Sequence, residues 1–71
     1  MTQQQTSTAN EQYDLISALY HALEGAQTYA TYVKDAEQGG DQELAQFFRK
    51  AQQEEDSRAQ QAKQLLSRRM S

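Results

Sequence analysis

Glu55 and Arg58 stand three residues apart in the run Glu55-Asp56-Ser57-Arg58, a spacing that sends both side chains out from one side of a helix. A carboxylate so placed can accept a charge-assisted hydrogen bond from a guanidinium, or it can hold a cation. The guanidinium itself stays protonated and cannot coordinate. His21 and Glu24 make a second pair three apart, an imidazole and a carboxylate, of types that can ligate a metal. Nucleophilic chemistry has no support. The chain has no cysteine and one histidine, and Ser17 and Ser57 lie in mid-helix positions without a recognisable base. Gly39-Gly40 lacks the strand and the lysine of a phosphate-binding loop.

The elements that must position these residues are legible from spacing. Leu44, Phe48, Ala51, Glu55, Arg58, Ala62 and Leu65 follow one another at steps of four and three, the rhythm of one helical stripe. Leu15, Leu19, Ala22, Ala26, Tyr29, Val33 and Ala36 form a matching series, with Ile16, Leu23 and Ala30 on one flank and Ala18, Gly25 and Tyr32 on the other. Between them Gln38-Gly39-Gly40-Asp41 offers two glycines for a left-handed helix end and an aspartate to cap the next helix. Proline is absent and β-branched runs are missing, so an all-α hairpin is predicted. Residues 1–8 are expected to be a disordered polar tail and 9–69 the hairpin. Helix 1 is expected over about 10–37, the turn over 38–41 and helix 2 over about 42–69. Thr8-Ala9-Asn10-Glu11 has capping-box spacing at the start of helix 1.

A 71-residue chain folded this way can bury only one face of each helix, which rarely offsets the entropy of ordering both. Folding about Gly39-Gly40 sets Val33 opposite Phe47 or Phe48, Tyr29 opposite Ala51, and Leu15 opposite Leu65. Glu55 and Arg58 then fall across from Ala22, Gly25 and Ala26, where there is room for long polar side chains. A lone hairpin leaves Leu23, Tyr32, Phe47 and Leu66 in water. Two hairpins packed about a twofold axis into a four-helix bundle remove that exposure, so a homodimer or higher oligomer is expected, with another protein as a further partner. Tyr13 and Tyr20 point away from the seam, as solvent-facing aromatics or as a candidate second contact surface. The formal charge of −3 argues against a nucleic acid, including the RNA that some hairpin dimers bind, or an anionic membrane as the main partner. With no secretion signal and no span of ~20 apolar residues, a cytoplasmic location is expected.

The segment Leu19-Tyr20-His21-Ala22-Leu23-Glu24-Gly25-Ala26, then Tyr29, Tyr32 and Ala36, then Gly40 to Phe48 and Ala51 to Ala59, resembles one hairpin of the ferritin-like superfamily, in the style of rubrerythrins and two-helix encapsulated ferritins. The resemblance covers about residues 15–68. It implies that each hairpin supplies an inward glutamate from its first helix and a Glu-x-x-His pair from its second, so that two hairpins hold two iron or manganese ions. Here Glu55 matches, Arg58 stands at the histidine position, and the first-helix position falls among Ala22, Gly25 and Ala26, which carry no ligand atom.

The reading is therefore a non-enzymatic assembly or protein-interaction module, a dimeric bundle with a central Glu55–Arg58 ion-pair network in place of a di-metal site and no cofactor. Its expected core and dimer surface comprise Leu15, Leu19, Ala22, Leu23, Ala26, Tyr29, Val33, Leu44, Phe47, Phe48, Ala51, Ala62, Leu65 and Leu66. The alternative is an iron- or manganese-binding protein using Glu55 with Glu24 and His21 as displaced ligands, in ferroxidase, iron-storage or oxidative-stress chemistry.

Overall fold

The computed structural model describes the backbone of residues 7–70 and the side chains of 10–69. Two α-helices, α1 (Ser7–Gln38) and α2 (Gln42–Met70), fold into a hairpin of 32 and 29 residues. Ser7 and Thr8 belong to α1, so the helix starts ahead of the capping box expected at Thr8; the rest of the expected tail lies outside the described residues.

The turn is built by the residues the sequence places there. Gly40 takes a positive φ of 75°, a left-handed conformation that costs glycine nothing. Its N–H donates to the Glu37 carbonyl at 3.0 Å, and the Asp41 N–H donates to the Ala36 carbonyl at 2.9 Å, the paired bonds of a Schellman ending. Asp41 then starts α2: its Oδ1 accepts the Leu44 N–H at 3.0 Å and its carbonyl accepts the Ala45 N–H at 3.0 Å. One aspartate closes one helix and caps the next.

The seam between the helices is made of alanine. Ala22, Ala26 and Ala36 of α1 and Ala45, Ala59 and Ala62 of α2 are the buried apolar residues, and none of the described large side chains is fully buried. On α2 the inward run is Ala45, Phe48, Gln52, Glu55, Ala59, Ala62 and Leu66, which keeps the three-four rhythm but is turned relative to the expected stripe. Phe48, Glu55 and Ala62 are common to both. Leu44, Arg58 and Leu65 move to the exposed flank, because small alanines let two backbones approach closely while larger side chains splay to the sides. The molecule measures 51 × 27 × 13 Å, which is one layer of helices, where domains are ordinarily built from two.

Candidate functional site

Gly25 and Glu55 meet at the middle of the hairpin. A Cβ placed on Gly25 would lie 3.1 Å from the Glu55 Cδ and 3.3 Å from its Cγ, so the absence of a side chain at 25 is what lets the Glu55 carboxylate lie against α1. One turn on, Arg58 Nη1 donates to Glu55 Oε1 at 2.7 Å. The side chain of Glu55 is 24% exposed and that of Arg58 57%. The pair is not sealed in the seam of the single chain, as the expected stripe had it. Glu55 lies at the edge of the seam and Arg58 lies beside it on an open face.

That open face continues toward the turn as an aromatic cluster. The Phe48 ring lies 5.3 Å from Tyr32, 6.3 Å from Tyr29 and 5.6 Å from Phe47, measured between ring centres. Such pairs favour tilted and edge contacts because ring faces and edges carry opposite partial charge. Tyr29 thus meets Phe48. Phe47 is 65% exposed at the front of the cluster. Leu65 follows Phe47 by eighteen residues, five full helical turns at 3.6 residues each, so the two point the same way with Arg58 between them. At the other end of the face Leu15 and Leu65 line one hollow with Glu11, Asp14 and Arg69.

The opposite face holds the second patch. Tyr13, Ile16, Tyr20 and Leu23 form an exposed row on α1. The Tyr20 hydroxyl donates to Glu24 Oε2 at 3.2 Å, and the hydrogen bond and negative charge of Glu24 raise the Tyr20 pKa above its ordinary 10.0. The His21 ring stands edge-on to Tyr20, with centres 5.7 Å apart. An ion pair between Arg49 and Glu37 ties α2 to α1 near the turn.

His21, Glu24 and Glu55 do not gather. Among the described residues no group of three or more His, Cys, Asp or Glu side chains is placed to hold a metal ion. Of the expected core, Ala22, Ala26 and Ala62 are buried, while Leu15, Leu19, Tyr29, Val33, Phe48, Ala51 and Leu66 are half-buried. Leu23, Leu44, Phe47 and Leu65 are exposed in the single chain. Ala45 and Ala59, two of the most deeply buried residues, were missed. Their only signal was the three-four spacing that links them to Phe48, Gln52, Ala62 and Leu66.

A family model described as "Phosphoinositide-specific phospholipase C, efhand-like" matches residues 16–69. No curated protein and no solved structure matches. The family match overturns the ferritin-like and rubrerythrin-like reading. That reading rested on Glu55 and the patterning of two long helices, and an ion-paired Glu55 beside Gly25 satisfies the same pattern without a ligand set. The EF-hand description raises calcium, and the residues do not fit it. A calcium loop uses roughly twelve residues with ligands at alternating positions, whereas Gly39, Gly40 and Asp41 alone separate α1 from α2. Of the nearby carboxylates, Glu37 pairs with Arg49 and Asp41 caps α2.

Proposed function

The chain belongs to the EF-hand-like family of phosphoinositide-specific phospholipase C, and on that premise we propose that it is a non-enzymatic helical interaction module that acts by self-association. A homodimeric four-helix bundle gives this layer the second layer it lacks. The observation that carries the reading is the inverted distribution of side chains: among the described residues the buried ones are all alanine, while Phe47, Tyr32, Leu44 and Leu65 are exposed. Full burial of one large apolar side chain is worth about 1.5–3 kcal/mol, and the single hairpin leaves much of that unrealised. The Glu55–Arg58 pair supports the same reading, since a hydrogen-bonded charge pair at the edge of an apolar face can set register when that face is covered. No helix among the described residues is long and apolar enough to cross a membrane, and we place the module in the cytoplasm.

Light scattering coupled to gel filtration tests this. Twice the 8.1 kDa of one chain is expected from micromolar concentration upward. A mass of one chain at every concentration would remove self-association, and the module would then act on a different protein.

A further inference from the structure

The two faces of the hairpin are not equivalent, and neither are the two ends of the aromatic face. On α1 the residues along that face from turn to open end are Tyr32, Gly25 and Ala18, each seven residues apart; on α2 they are Phe47, Glu54, Arg58, Gln61 and Leu65. The turn end is thick with rings and the open end is thin. Acids stand at both ends: Asp41 and Glu43 flank Leu44 and Phe47 at the turn, and Glu11 and Asp14 lie with Arg69 beside Leu65 at the open end.

We propose that a second copy of this chain covers the face bearing Phe47, Arg58 and Leu65, with its turn at the opposite end of the bundle. The proposal rests on the self-association reading and adds the surface and the direction. Two layers pack at a nearly constant separation of about 8–10 Å, so ring-thick ends must lie over thin ones. With the turns opposed, Tyr32 and Phe47 of one copy cover Ala18 and Leu65 of the other. With the turns together, rings stack on rings and the thin ends are left apart. At the twofold axis each Glu55–Arg58 pair faces its counterpart, and Arg58, already on the open face, is placed to bridge to the second Glu55. The 51 × 27 Å footprint offers on the order of 1,000 Å² per copy, which clears the ~800 Å² of a standard interface. The Tyr13–Leu23 row stays outside this interface.

The chain has no cysteine, so a single Gln38→Cys, spin-labelled beside the turn, reports direction by pulsed electron resonance. Opposed turns place the two labels roughly 40 Å apart, the length of the helices. A distance under about 20 Å, from adjacent turns in layers about 10 Å apart, overturns the arrangement while leaving self-association standing. Phe47→Asp and Leu65→Asp, both at exposed positions, should keep helical circular dichroism and drop the mass to one chain, whereas Tyr20→Asp should leave the dimer intact. If Tyr20→Asp breaks the dimer and Phe47→Asp does not, the face is wrong. A wild-type mass of one chain at all concentrations would instead remove the underlying reading.

Discussion

Replacing Gly25 by alanine separates two effects that ordinarily travel together. In a helix interior the change should stabilise by about 1 kcal/mol, because glycine loses more backbone freedom on folding and leaves peptide groups bare. Here the added Cβ would stand 3.1 Å from the Glu55 Cδ and 3.3 Å from Cγ and Oε2, inside ordinary contact distance. The obstacle is a flexible side chain, so Glu55 moves by a few tenths of an ångström instead of α2 moving away. That displacement strains the Glu55 rotamer by about 0.5–1.5 kcal/mol and loosens an ion pair worth about 0.3–0.5 kcal/mol. The strain and the loosened pair offset the propensity gain or exceed it. Gly25→Ala alone should therefore fall between a gain of about 0.2 and a loss of about 1 kcal/mol, while the same change in a Glu55→Ala background should recover the full ~1 kcal/mol of helix propensity. Urea unfolding followed by circular dichroism, with all four proteins at one concentration so that the proposed association would contribute equally to each, measures this cycle. An equal gain of about 1 kcal/mol in both backgrounds would refute the claim that Gly25 exists to accommodate Glu55.

Two further outcomes follow from the local geometry. Gly40→Ala meets no neighbouring atom but must adopt φ near 75°, so it should destabilise by about 1–2 kcal/mol, and Asp41→Ala should cost about 1 kcal/mol through the lost cap on Leu44; chemical denaturation checks both. Tyr20 should titrate above its ordinary 10.0 in the folded chain because of Glu24. A raised folded-state value favours the protonated phenol, so its contribution is fully present below the unfolded pKa and is lost as pH climbs through the folded value. Glu24→Gln should move the Tyr20 ring titration downward by nuclear magnetic resonance, and an unchanged titration would contradict the assigned cause.

The hairpin was legible because its signals reinforce one another: a long three-four apolar rhythm on each side of Gly39-Gly40-Asp41, with nothing to interrupt it. The facing of α2 was less legible. Leu44, Arg58 and Leu65 lie one position before Ala45, Ala59 and Leu66, both sets keep the same period, and a reading that weights residues by apolar bulk selects the larger set. Close approach of two backbones favours the smaller one. The position of Glu55 opposite Gly25 followed from counting outward from the turn, and the structure places it there. The family did not follow. A glutamate in the middle of a second helix serves an ion pair as readily as a metal, and only the partner residues distinguish them. Arg58 was that partner in plain sight, yet the patterning of the surrounding helices pointed toward ferritin-like hairpins instead of the phospholipase C EF-hand-like family.

The alanine seam has a mechanical consequence. Surfaces of methyl groups offer few projections to interlock, so sliding and splaying of α1 against α2 are resisted mainly by whatever clamps stand along its length. Those clamps crowd one end: the Schellman turn, the Asp41 cap, the Arg49–Glu37 pair and the rings around Phe48 all lie within about four helical turns of Gly40. Beyond Glu55 the helices are held by Ala59, Ala62 and the half-buried leucines. The turn end is thus firmly clamped, and in the antiparallel dimer proposed above each clamped turn would lie along the open end of the other copy.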